Sequence, residues 1–562
     1  MPPAFGSEAR SRQLPSAPPR PVNRDGHRSG PVGAVAAPIP FRTAAALAAV
    51  GGWLTNLAFP DRGWWPLAYV GIAFLLVALR GARPGRAAGT GLVWGLGFFL
   101  PHVSWAVQAT GSVLPWIALS LFQAAYVAGF GLLWAHAQQA PWVRRHPVVQ
   151  AATAAVVWVA VEQLRGSWPF GGFPWGYLAF SQTDAPALRL APYGGEILVS
   201  AFVVLVAALL TTTLQQVLRG RRVSASLTAA GAVAVALGPG LLPSHVEQEL
   251  GRLRVGAVQG DVPTQGAHWA EQARQITANH TRGTERLVAA SGQDPLDLVL
   301  WPESAADIDP RVDASQAALV DAAAAAADAP LLLGTQRFPD GQDVRFNEMV
   351  VWQAGQGARS AYAKQHPVPF GEYVPYRDFF RQLTPLVDRI TTDMAAGTAP
   401  AITAIPIERL GRDVPVVTGI CFEVAYADII REGVLLGGEL IVIPTNNASF
   451  GRSQESTQQL AMSRFRAAEH ARATVQISTV GVSALIRPDG TVVKRTGLFT
   501  AEELVASLPL RTTLTPAARS GPALETGTYV LAAAAVTAGV LRRKRQPGRP
   551  SSTSCAWPGP RA

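Results

Sequence analysis

Three short segments carry side chains that together could perform acyl transfer. "LVLWPES" ends near Glu303, "AYAKQHPVPFGEYVPYR" holds Lys364 and, eight residues on, Glu372, and "VTGICFE" carries Cys421 with Glu423 two residues later. Chemically these are a base, a cation and a thiol. A thiol at its ordinary pKa of about 8.5 is mostly protonated near neutrality, so it needs a base or a cation beside it to act as a nucleophile. A carboxylate can take that proton and later return it to a leaving group. An ammonium can hold the oxyanion of a tetrahedral intermediate, an effect worth roughly 3–4 kcal/mol per donor. Each residue also has a plainer reading on its own. A lone Cys in an apolar strand is commonly a packing residue, Glu303 is equally a strand-end carboxylate facing water, and Lys364 an exposed loop cation.

Composition narrows the setting. The only two cysteines in 562 residues are Cys421 and Cys555, which excludes a disulfide framework. Neither CxxC nor HxxxH is present, so no metal is expected and no cofactor is called for. Apolar residues make up 49% and charged residues only 15%. That balance suits a chain partly inside a membrane better than a soluble enzyme. The net charge of +10 would suit nucleic acid, but the arginines cluster in short segments beside apolar runs, so no nucleic-acid partner is expected.

The elements that must position the three segments follow from patterning. Residues 1–40 are rich in Pro, Arg, Ser and Gly and read as a disordered tail without a cleavable signal. Within 41–243, seven apolar stretches lie at 42–59, 64–80, 87–107, 113–136, 148–164, 195–214 and 223–242. Each approaches the ~20 residues that cross a bilayer core. An eighth, 521–541, precedes "RRKR" and a basic tail, 542–562. Basic residues phase with these stretches. They precede the first (Arg10, Arg12, Arg20, Arg24, Arg28), lie in every second connection (Arg80, Arg83 and Arg86; Arg144 and Arg145; Arg219, Arg221 and Arg222), and follow the last. The alternate loops carry only Arg62, Arg165 and Arg189. The positive-inside rule then predicts both termini in the cytoplasm and residues 244–520 on the extracytoplasmic face. Inside that block, runs such as "LRVGAVQ", "APLLLGT", "VPVVTGICFE" and "ELIVIPTNN" predict strands covered on both faces. Helical stretches at 314–329 and 454–473 fall between them. The alternation predicts a layered α/β sheet with its site at strand ends.

In the chain order Glu, Lys, Cys these residues resemble the carbon–nitrogen hydrolase (nitrilase) superfamily. "WPES", "AKQHPVPFGEYVP" and "GICFE" are similar to its three signature blocks, and "NNASFG" with a helix carrying Arg466, Glu469 and Arg472 is similar to its later portion. Seven helices, such a domain and one closing helix resemble the apolipoprotein N-acyltransferase family, as do "VEQLRGSWPFGGFPWGYLAFSQ" (161–182) and "VQGDVPTQGAHW" (258–269). The resemblance implies a multi-pass α-helical membrane domain of about eight helices plus an extracytoplasmic α/β nitrilase-like sandwich, layered α-β-β-α. It implies a monomer of the bacterial plasma membrane in which Cys421 takes an acyl chain from a phospholipid as a thioester. The chain then passes to the α-amino group of the S-diacylglyceryl cysteine of an apolipoprotein. Glu303 is the implied base and acid, Lys364 the oxyanion stabiliser, and Glu372 and Glu423 supporting acids. Trp269 matches an aromatic near the lipid entrance and is equally read as an ordinary surface aromatic. Phe422, a substrate-binding candidate, stands where many members have Tyr, and Ser449 where Trp is common. A membrane-tethered amidase using the same three residues is the rival reading.

Overall fold

The computed structural model describes residues 39–243, 249–262, 269–292 and 294–544. Most of the N-terminal tail, the segment 263–268, and the C-terminal tail from 545 with Cys555 lie outside the described residues.

Seven helices occupy the first seven apolar stretches: α1 (Phe41–Leu57), α2 (Pro66–Ala78), α3 (Pro84–His102), α4 (Val113–Ala137), α5 (Pro147–Ser167), α6 (Ala191–Leu218) and α7 (Arg222–Leu237). Proline in the first turn starts α2, α3, α5 and α6, where its missing N–H costs nothing and its φ is already helical. Among the described residues, five helical segments are long and apolar enough to cross a membrane: 113–137, 147–167, 186–218, 222–241 and 516–543. α2 is shorter than the apolar run that predicted it. Its 13 residues span ~20 Å, because Pro66 opens the helix and leaves Trp64 and Trp65 outside it.

Close backbone approach joins the early helices, as expected where lipid removes the hydrophobic drive between them. A Cβ on Gly52 of α1 would stand 2.2 Å from Trp94 O on α3, and one on Gly91 of α3 would stand 2.2 Å from Val127 O on α4. Only glycine fits at either place.

The following block runs β1 (Gly251–Gln259), α8 (Trp269–Ser291), β2 (Leu298–Leu300), α9 (Ala314–Ala327), β3 (Leu331–Arg337), β4 (Val344–Gln353), β5 (Gly357–Ala363), β6 (Asp393–Met394), β7 (Ile402–Ile407), β8 (Arg412–Thr418), α10 (Ala427–Leu435), β9 (Leu440–Thr445), α11 (Glu455–His470), β10 (Thr474–Ser478), β11 (Ala484–Ile486), β12 (Val492–Arg495), β13 (Glu502–Leu510) and α12 (Pro516–Lys544). One sheet has the order β13-β1-β2-β3-β4-β5, with β6 beside β4, and the other β12-β11-β10-β9-β8-β7. The centre of each is parallel: β1·β2·β3 in the first and β8·β9·β10 in the second. Parallel neighbours need crossovers, which α8 and α9 supply on one side and α10 and α11 on the other.

Side-chain alternation explains the layers. Leu331 and Leu333 turn to the α8–α9 layer with Val320 and Ala324, while Leu332 faces the core between the sheets. Across that core stand Val416, Val442, Val475 and Ile477 of the second sheet. Burial of each such side chain contributes about 1.5–3 kcal/mol. The result is an α-β-β-α sandwich attached to a helical membrane-type bundle. The segments carrying Glu303, Lys364 and Cys421 emerge just past the C-terminal ends of β2, β5 and β8, which brings them to one edge of the sandwich.

Candidate active site

Cys421 is not in a strand. The run "VPVVTGICFE" was expected to continue as strand to its end, but β8 stops at Thr418 and a 3-10 turn begins at Cys421 and ends at Ala425. Cys421 itself has φ +54°, a left-handed conformation that non-glycine residues rarely adopt. Strain of this kind costs roughly 1–3 kcal/mol and persists where the surroundings enforce it. The half-buried thiol thus stands outside the sheet, beside Thr445 at the end of β9.

Glu303 accepts three bonds. Asn347 Nδ2 donates to Oε1 at 2.6 Å, Lys364 Nζ reaches the same oxygen at 3.5 Å, and the Asn446 backbone N–H donates to Oε2 at 2.7 Å. Its neighbour Ser304 is also left-handed, φ +58°. Lys364 is fully buried and donates to Glu372 Oε1 at 2.7 Å, while Glu372 Oε2 accepts from Val368 N–H at 2.6 Å. Burial opposes the ammonium, but the Glu372 and Glu303 carboxylates outweigh it and hold the Lys364 pKa above its ordinary value. The Cys421 thiol is pushed up, first by burial and then by the negative charge of Glu303, with Lys364 pulling the other way. The thiol therefore feels the charges of both Glu303 and Lys364.

Glu423 ties the two loops together. Oε1 accepts from the Gln365 and His366 N–H groups at 2.6 and 3.1 Å, Oε2 accepts from Ile420 N–H at 2.7 Å, and Tyr362 OH donates to both at 3.0 Å. One carboxyl thus holds the residues after Lys364 against the residue before Cys421. Burial raises its pKa to about 7, against the pull of Lys364 and those backbone donors.

Further residues at the site lacked a role in the sequence reading. Thr445 Oγ1 donates to Cys421 Sγ at 3.2 Å and Gln459 Nε2 approaches it at 3.7 Å. Asn447 Nδ2 donates to Gln459 Oε1 and to Glu455 Oε2, at 2.9 and 2.8 Å. Glu455 is buried, and burial followed by the Glu303 charge pushes it up to about 8, with Asn447 opposing. The signal available was a cluster of polar residues at the end of β9 and along a face of α11 that is buried throughout. Phe422 does not face this polar set. It is buried and lies against Trp175 and Phe173, ring centroids 6.1 and 5.8 Å away, in the connection that follows α5. Trp105 completes that cluster, 5.6 Å from Trp175 and 5.3 Å from Phe450. Trp269 opens α8 and is 61% exposed.

Comparison with known proteins places this architecture. Residues 51–209 match the model of the apolipoprotein N-acyltransferase N-terminal domain, and residues 254–518 that of the carbon–nitrogen hydrolases. The apolipoprotein N-acyltransferase of Mycolicibacterium smegmatis is 34% identical over 90% of this chain and 86% of its own length. The chain belongs to the apolipoprotein N-acyltransferase family. Relatives of the same name in Azotobacter vinelandii and Pseudomonas syringae are 34% and 32% identical, over 84% and 79% of this chain and 90% and 87% of theirs. The family's two parts correspond to the bundle and the sandwich, and the Cys421 turn and the Phe173–Trp175 connection come one from each.

Proposed function

We propose that the chain carries out the last step of bacterial lipoprotein maturation by a ping-pong reaction on Cys421. A membrane phospholipid is the acyl donor and the α-amino group of the S-diacylglyceryl cysteine of an apolipoprotein is the acceptor. In the first half, Sγ attacks the ester carbonyl while Glu303 takes the thiol proton and Lys364 holds the oxyanion. Collapse of the intermediate breaks the ester C–O bond, and Glu303 returns the proton to the departing lysophospholipid hydroxyl. In the second half, the neutral amine attacks the thioester, Glu303 takes the proton from nitrogen, and the sulfur leaves to be reprotonated. Glu372 orients Lys364, and Glu423 keeps the cation and the nucleophile in register.

The observation that carries this reading is the contact between the nucleophile turn and the helical bundle. Phe422, next to Cys421, packs on Phe173 and Trp175 of the connection after α5, so the thiol sits where acyl chains arriving from a bilayer meet the sandwich. A small soluble amide needs no such floor. Water kept from the thioester by lipid would also favour transfer to an amine over hydrolysis. The phased arginines support a cytoplasmic tail (1–40), seven helices (41–243), an extracytoplasmic hydrolase-like block (244–520), an eighth helix (521–541) and a basic cytoplasmic tail (542–562).

Incubation of the purified protein with phospholipid tests the proposal by mass spectrometry. An acyl adduct on Cys421, absent in Cys421→Ala and discharged by a diacylglyceryl peptide, is expected. Ammonia release from small amides with no lipid-derived adduct would establish the amidase reading instead.

A further inference from the structure

α6 is broken near its start. Gly194 (φ −156°, ψ 19°) and Gly195 (φ 57°, ψ −152°) leave the helical region. Irregular backbone in a membrane-type helix is tolerated where protein or a cavity takes up its polar groups. Here a cavity of about 220 Å³ opens at the break, lined by Glu196, Glu469, Ala425 and Tyr426 among others. The first side chain after the break, Glu196, is buried and accepts from Arg466 Nη1 at 2.8 Å. Gly195 has to be small as well as left-handed, since a Cβ there would stand 2.3 Å from Glu469 Oε1.

Arg466, on α11, is completely buried and uses its whole fork. Nη1 also donates to Glu469 Oε2 at 2.6 Å, Nε donates to Val424 O at 2.9 Å, and Nη2 donates to Ala425 O at 2.8 Å. Val424 and Ala425 are the last residues of the turn that Cys421 opens. The carboxylates thus locate the guanidinium, and the guanidinium locates the far end of the nucleophile turn. The near end is held by Glu423 through Ile420 N–H. A left-handed Cys421 persists only while both ends are fixed. Arg is suited to this because its planar donors hold a defined geometry.

We infer that Glu196 is a positioning residue for acyl transfer: acting through Arg466, it holds the Cys421 turn in its reactive conformation, so that α6 belongs to the catalytic apparatus and is more than an anchor. The inference rests on the reading of Cys421 as the acyl-carrying nucleophile.

The test uses the full chain in lipid nanodiscs. Glu196→Gln, Glu196→Asp and Arg466→Lys are compared with the unmodified protein in three measurements: Cys421 acylation rate against phospholipid concentration, alkylation rate of Cys421 by iodoacetamide, and thermal unfolding. The near-isosteric Glu196→Gln should unfold within about 3 °C of the unmodified protein. Its maximal acylation rate should fall about tenfold at an unchanged half-saturating lipid concentration, because the loss is in the transition state rather than in binding. Its alkylation rate should change as well, and Glu196→Asp should recover part of both. Glu196→Gln combined with Arg466→Lys should be scarcely worse than the poorer single variant, since the two act as one unit. Unaltered acylation and alkylation in folded Glu196→Gln would overturn the inference, as would losses that only track the fraction unfolded. Absence of any adduct in the unmodified protein would instead remove the reading of Cys421 itself.

Discussion

At the scale of single residues, the charge balance around Cys421 sets how the proposed reaction begins. Burial and Glu303 hold the thiol above its ordinary pKa, so its proton leaves as sulfur attacks rather than beforehand. In the proposed reaction Lys364 is then both the cation that offsets the developing charge and the oxyanion donor. Lys364→Met should lower single-turnover acylation by about 10²–10³-fold, the usual effect of losing such a donor. Thr445 is a more selective probe. Thr445→Val keeps the shape and removes the Oγ1 contacts to Sγ at 3.2 Å and to Gln459 Oε1 at 2.9 Å, where Asn447 still donates, so acylation should fall about tenfold while thermal stability changes little.

At the scale of elements, two couplings between segments are open to test. Glu423 accepts from backbone donors on two loops with both of its oxygens. Glu423→Gln turns one acceptor into an NH₂ group facing an N–H, leaving buried donors unpaired at a cost of about 1–3 kcal/mol. Faster hydrogen exchange should appear at 364–368 and 419–425 together, with a lower melting temperature. Exchange raised in only one of the two loops would count against the staple. In the bundle, Gly91→Val places a branched side chain against the Val127 carbonyl. Overpacking of that kind costs about 1–3 kcal/mol, and detergent-solubilised protein should melt correspondingly earlier.

At the scale of the whole molecule, the proposed orientation and the pH response both rest on charge. The phased arginines call for Arg83 and Asp340 on opposite sides of the membrane. Both are exposed. A membrane-impermeant maleimide should label Asp340→Cys in cells whose plasma membrane is intact, and Arg83→Cys only after that membrane is opened. Glu455, raised to about 8 by burial, holds its proton more tightly in the fold than in the unfolded chain. Its contribution to stability is therefore full below the ordinary carboxylate pKa and is lost as pH rises through about 8. The melting temperature should decline from pH 5 to pH 8, and Glu455→Gln, which cannot ionise, should flatten that decline.

Much of this protein is written locally. Helices appear at the eight apolar stretches and most strands where β-branched runs stand, because side-chain burial repeats at the period of each element and leaves its mark on adjacent residues. Glu303, Lys364 and Cys421 stood out because a base, a cation and a thiol at strand ends are unusual in type and place. Only the tertiary structure put Cys421 on a strained turn instead of in the strand. An apolar run does not record where its φ changes sign. Tertiary contacts alone also supplied Asn446 to Glu303 across 143 residues, Gln459 to Cys421 across 38, and Glu196 to Arg466 across 270. Such partners share no local period. Buried polar groups must find donors and acceptors wherever the packed layers bring them, and that choice is made only when the layers of the sandwich, and for Glu196 the bundle as well, close on each other.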